Sequence, residues 1–177
     1  MSLSELEIYQ YKFCEVLRAN NPSHYFKAVH VYKFNAGEKR YLVTFEEYQH
    51  HVYVLQFCLE ENQEIADKFN ELANVGPSIA KNVIATCVQI GLSIYKENPL
   101  ASFFFMASPT IDELSNVNKA NNKRLSVYTY FARFFFNSEH FVHLNSPEQN
   151  SYLILNKVYE QEEPEAKQKI IDMFTKN

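Results

Sequence analysis

The chain has 177 residues, 46% hydrophobic and 21% charged. That size suits a single domain burying about two-thirds of its unfolded surface, and the balance excludes an intrinsically disordered chain. A net charge of -4 offers no general attraction to nucleic acid or to anionic membranes, so neither is expected as a partner.

No apolar run approaches the roughly 20 residues that span a bilayer, and the first residues lack the zones of a signal peptide, so the expected location is the cytoplasm. No repeat or Gly/Ser/Pro-rich linker divides the sequence, which reads as one α+β domain over 1–177. Fifteen Phe and 12 Tyr with no Trp predict a strand-rich part. Cys14, Cys58 and Cys87 form no C-x-x-C pair and are expected to be reduced, mostly buried thiols.

Aromatic and β-branched residues predict strands over Ile8 to Val16, Tyr25 to Phe34, Arg40 to Glu47 and His51 to Leu59. Asn35-Ala36-Gly37-Glu38 reads as a tight hairpin, because Asn and Gly tolerate a left-handed backbone. Gly76-Pro77-Ser78 opens a helix reaching about Glu97, with Ile79, Val83, Cys87, Ile90, Ile94 and Tyr95 on one buried stripe. Asn98-Pro99 stops it, and the apolar run Ala101 to Ala107 suits a central strand covered on both faces.

A polar loop then leads to a second helix from about Asn122, with Leu125, Tyr128, Phe131, Ala132 and Phe135 on its stripe. Phe141 to Asn145 and Ser151 to Lys157 read as a closing hairpin. A short helix from Pro164 buries Ile170, Ile171 and Phe174. The sum is a mostly antiparallel, twisted sheet with helices packed on it.

From Arg40 to Lys157 this order resembles the GNAT family of N-acetyltransferases: a meander, a helix, a buried strand, another helix and a final hairpin. Asn121 to Tyr128, followed by Ala132-Arg133-Phe134, is similar to that family's Asn, Tyr and Gly-Phe segment, with Ala132 or Arg133 where the family has glycine. The resemblance implies acetyl-CoA as cofactor and Tyr128 as the acid that protonates the departing thiolate. The family's phosphate-binding turn sits at a helix N-terminus, a place suited to anions, and corresponds here to Leu72 through Ile79. Gly76, Ser78 and Ile79 would then hold the cofactor. The turn departs from the family pattern in having one glycine where two small residues are usual and in Pro77, which removes a donor. The layout is also similar to that of uncharacterised bacterial proteins with an Arg/Lys-then-Tyr helix.

Three glycines, Gly37, Gly76 and Gly91, exclude a P-loop and a Rossmann fingerprint. No G-x-S-x-G elbow supports a nucleophile. His50 and His51 would point to opposite faces of a strand, as would His140 and His143, so no metal site is expected. Glu46, Glu47, Glu60 and Glu61 end two predicted strands; they are solvated carboxylates or, for Glu46, the base that an amine substrate needs. Lys119, Lys123, Arg124 and Arg133 surround the second helix as a solvated face or an anion contact, with Arg124 the candidate for the cofactor's phosphates.

Two functions follow. One is an acyl-CoA-dependent N-acyltransferase or a degenerate relative. The other is a non-catalytic interaction module that meets a protein partner or forms a homodimer through aromatic and aliphatic side chains on the first meander.

Overall fold

The computed structural model describes residues 5–20, 25–64, 75–106 and 123–175. Its strands are β1 (Tyr11–Arg18), β2 (Phe26–Ala36), β3 (Lys39–Tyr48), β4 (Val52–Leu59), β5 (Ser102–Met106), β6 (Phe141–Ser146) and β7 (Ser151–Asn156). They form one sheet in the order β1-β2-β3-β4-β5-β7-β6. Every neighbouring pair is antiparallel except β4 and β5, which run parallel. A parallel neighbour requires a crossover, and the helix α1 (Pro77–Glu97) supplies it. The remaining helices among the described residues are α2 (Lys123–Phe135), α3 (Lys157–Glu162) and α4 (Ala166–Thr175).

Period-two alternation decides which face each strand residue takes. Tyr32 and Phe34 of β2, Tyr41, Val43 and Phe45 of β3, and Tyr53 and Leu59 of β4 share a core with Val83, Ile84, Cys87, Ile90 and Ile94 of α1 and Leu125, Phe131 and Ala132 of α2. This is the near face. On the far face Val52, Val54, Phe104, Leu153 and Leu155 pack against Ile170 and Met173 of α4. As expected, β5 is buried on both faces: Phe103 and Phe105 point into the first core and Phe104 into the second. Phe104 stacks on Phe174 with centroids 4.4 Å apart.

Some details differ from the sequence reading. The stripe of α1 starts at Val83, since Ile79 in its first turn is 40% exposed. Cys58 and Cys87 are buried, but Cys14 is exposed because it occupies a bulge in the edge strand β1. Asn156 ends β7 and caps α3, accepting from Val158 and Tyr159 amides while its Nδ2 donates to the carbonyls of Pro99 and Ala101. No helix among the described residues is long and apolar enough to cross a membrane.

Candidate functional site

The parallel pair β4–β5 is registered only over Val52–Ser102, Tyr53–Phe103 and Val54–Phe104. Beyond Val54 the two strands have no paired residues, although β4 continues to Leu59. Tyr128 of α2 stands over this parting, edge-on to Phe57 of β4 at 6.0 Å and to Phe105 of β5 at 5.5 Å between centroids. Leu55, Phe57, Ile84, Val88, Phe105 and Tyr128 line a cavity of about 30 Å³ there. A cavity of about 150 Å³ takes a benzene ring, whereas one of a few tens of Å³ holds little more than a water. The parting is therefore filled by the chain's own aromatic rings.

The N-terminus of α1 is a loose counterpart. Gly76 is its N-cap with no side-chain cap bond, and Pro77 occupies the first turn. Gly76, Pro77, Ser78 and Ile79 are all exposed, and a Cβ added at Gly76 would meet nothing within 4 Å. Neither close packing nor a positive φ demands glycine at this position. The preceding Leu72 to Asn74, like Lys119, Asn121 and Asn122, lies outside the described residues, as do the side chains of Lys123 and Arg124.

The structure does not bring Glu46 and Tyr128 together. Glu46 pairs in register with Val54, a residue of the far-face core, and accepts a 2.9 Å hydrogen bond from the Tyr48 hydroxyl. Tyr128 packs on the near face. A base and an acid separated by a sheet cannot serve one bound amine. The neighbouring carboxylates are also engaged: Glu47 with His30 at 2.8 Å, and Glu60 with Lys33 and Arg40.

Arg133 is exposed on α2 and anchored through one guanidinium donor. Its Nε donates to the hydroxyl of the fully buried Tyr152 at 3.0 Å, and that hydroxyl lies 3.1 Å from Nδ1 of His143. His143 Nε2 is 2.7 Å from the Phe136 carbonyl, which can only accept, so Nε2 carries the proton and Nδ1 accepts from Tyr152. Burial holds the His143 pKa below its ordinary value, against the raising effect of that carbonyl and with further help from Arg133. Nothing in the sequence marks this relay, because its members meet only across α2, β6 and β7.

His50 and His51 are not in a strand. They form a tight turn between β3 and β4 with φ of 62° and 55°, the left-handed region in which His is one of the few enriched non-glycine residues. Both rings consequently reach Tyr159 of α3, at 6.4 and 5.2 Å between centroids. No group of three or more His, Cys, Asp or Glu among the described residues is placed to hold a metal ion.

On the far face a groove of about 430 Å³ runs between β6 and α4, floored by Phe104 and Leu153 and rimmed by Asn145, Ser146 and Thr175. Among the described residues no ionisable side chain lines it. The first meander carries no large exposed apolar side chain on β2, β3 or β4. Its far face mixes Lys33, Thr44, Glu46 and Gln56 with the buried or half-buried Val31, Leu42 and Cys58, while residues Leu6 and Tyr9 before β1 pack on the near-face core. Of the stretch Tyr25 to Phe34 expected to offer an interaction surface, Tyr25, just before β2, is the large apolar side chain left exposed. Large exposed apolar side chains gather on β1 (Phe13, Leu17) and on α2 (Val127, Tyr130, Phe134).

No family model matches the chain, and neither a curated protein nor a solved structure does.

Proposed function

We propose that the chain is a degenerate relative of the acyl-CoA-dependent N-acyltransferases, keeping an acyltransferase-like shell and acting by binding a protein or a second copy of itself. The observation that carries this reading is the parting between β4 and β5, where Phe57, Phe105 and Tyr128 leave only about 30 Å³. A pantetheine arm also brings amide groups that need hydrogen-bond partners, and the cavity's lining is almost wholly apolar. Supporting it are Pro77 at the start of α1 and the separation of Glu46 from Tyr128 by the sheet. Val127, Tyr130 and Phe134, spaced three and four residues apart, give α2 an exposed apolar stripe suited to a partner.

A second reading, N-acyl transfer with acetyl-CoA and Tyr128 as acid, draws on the place of Tyr128 above the ends of the parallel pair. Denaturant unfolding of Phe57→Ala and Phe105→Ala separates the two. If the parting is core, each costs about 3–5 kcal/mol. If it is a cleft kept open for a ligand, removing a ring is neutral or stabilising, as at strained functional sites, and that result would reject the degenerate reading. Sedimentation at micromolar concentration tests self-association, whose homodimer form a clean monomer would rule out.

A further inference from the structure

The turn that joins β3 to β4 ties three elements together through hydrogen bonds whose direction is fixed by chemistry. Asn98, just after α1, is the hub. Its Oδ1 accepts from the Leu100 amide at 3.2 Å, and its Nδ2 lies 3.1 Å from the Tyr53 hydroxyl and 3.2 Å from His51 Nδ1. A backbone N–H can only donate, so the Leu100 contact settles which way the Asn98 amide faces. The two hydrogens of Nδ2 then go to Tyr53 and to His51. His51 Nδ1 must therefore present a lone pair, and the ring is neutral with its proton on Nε2. Flipping the amide offers no escape, since Nδ2 would then confront the Leu100 N–H.

On its other side the turn holds the C-terminal helices. His50 Nδ1 is 3.0 Å from the Tyr159 hydroxyl, and the His51 ring meets Tyr159 edge-on at 5.2 Å. The backbone of the turn is costly, because two successive non-glycine residues in the left-handed region each lose about 1–2 kcal/mol. Side-chain docking offsets that strain, beside one backbone bond from the Gln49 amide to the Tyr25 carbonyl at 2.7 Å.

We propose that His51 is a proton-operated latch: neutral, it fastens the β3–β4 turn to Asn98 at the end of α1, and protonated, it lets go of Asn98 and frees the turn.

Protonation at Nδ1 sets N–H against N–H, so the Asn98 contact is lost and the strain in the turn favours its release. The groups facing His51 are Lys27 from β2, Glu47 from β3, His50 within the turn, Tyr53 and Asn98 from β4 and the end of α1, and Tyr159 and Glu162 from α3. Burial holds its pKa below the ordinary histidine value, with Lys27 adding to that and Glu47 and Glu162 opposing it. Glu47 is shared with His30, which weakens its call on the imidazolium. His50 behaves differently, since its contact with the Tyr159 hydroxyl survives protonation by reversing donor and acceptor. The switch belongs to His51 and the anchor to His50.

The test is an NMR titration of the His51 ring with amide exchange of the turn, residues 49–53, in the full chain, from pH 7.5 to 5.0. The latch predicts a His51 midpoint below that of a free imidazole. It also predicts that opening of the turn, after correction for the intrinsic pH dependence of exchange, rises about tenfold per unit fall in pH between the released and latched pKa values. Asn98→Asp should invert the response, because a carboxylate accepts from protonated His51: the midpoint moves above the free value and the turn no longer opens in acid. His51→Asn, a residue that tolerates the left-handed backbone, should make the opening independent of pH. A wild-type midpoint at the free-imidazole value, exchange of the turn amides that ignores pH, or an Asn98→Asp midpoint that does not rise overturns the proposal.

Discussion

Two tight turns join three neighbouring strands of this sheet, and they solve one problem in opposite ways. Between β2 and β3, Gly37 takes φ +63° with nothing within 4 Å of where its Cβ would be. It enters the left-handed region at no steric cost and touches nothing. Between β3 and β4, His50 and His51 adopt nearly the same φ against their preference, and their rings dock on Tyr159 and Asn98. A turn that needs only to reverse the chain is served by glycine. One that keeps strained side chains is using them.

The comparison is broken most severely at the hub. Asn98→Ala removes the partner of His51 and Tyr53 and the acceptor of the Leu100 amide, and should cost about 1–3 kcal/mol, the range for stranding partly buried polar groups. Urea unfolding measures it, and a cost below about 0.5 kcal/mol, the size of an ordinary surface substitution, would mean that the docking does not hold the turn. Next comes the exchange of strategies. Gly37→Val forces a β-branched residue into the left-handed region and should cost about 1–2 kcal/mol, while His50→Gly relieves strain as it loses the Tyr159 contact and should leave stability within about 0.5 kcal/mol of wild type.

A third glycine sharpens the point by contrast. Gly91 lies inside α1 with no need of positive φ, and an added Cβ would meet Phe136, Phe45 and Phe103 at 3.5 to 3.6 Å, ordinary contact distances. Gly91→Ala should therefore stabilise by about 1 kcal/mol, the helical preference of alanine over glycine, as a rise in melting temperature.

The gentlest perturbation is pH. His50, His51 and His143 all have folded pKa values held below the ordinary 6.5, chiefly by burial. A histidine favoured in its neutral form stabilises the fold above its unfolded pKa, and that stability is lost as pH falls through the folded pKa. The melting temperature should be flat from pH 8 to 7 and decline from about pH 6.5 downward. The decline should become shallower in His51→Asn. Equal slopes in the two proteins would remove His51 from the account.

The turns also show what the sequence could and could not reveal. The Gly37 hairpin was legible because Asn and Gly announce a left-handed backbone, and α1 and β5 were legible from a helical stripe and an unbroken apolar run. The His50-His51 turn carries no Gly, Pro or Asn, so its histidines read as the start of a strand. Helix α3 was hidden because its cap, Asn156, is also the last residue of a strand that reads as running to Lys157. The candidate site was legible only by residue type. Glu46 and Tyr128 qualify as base and acid, but the register that places Glu46 beside Val54, and so on the far face, is a property of strand pairing that no single sequence spells out. The filling of the parting by Phe57 and Phe105 depends equally on where two strands stop pairing.

The most direct test of the central claim, that this parting is closed by the chain's own side chains, is the melting temperature of the protein with and without millimolar acetyl-CoA. A closed parting predicts no change. A ligand that binds only the folded state at a hundredfold excess over its Kd adds about 2.7 kcal/mol, so a rise of several degrees would show that the aromatic rings move aside and would contradict the account.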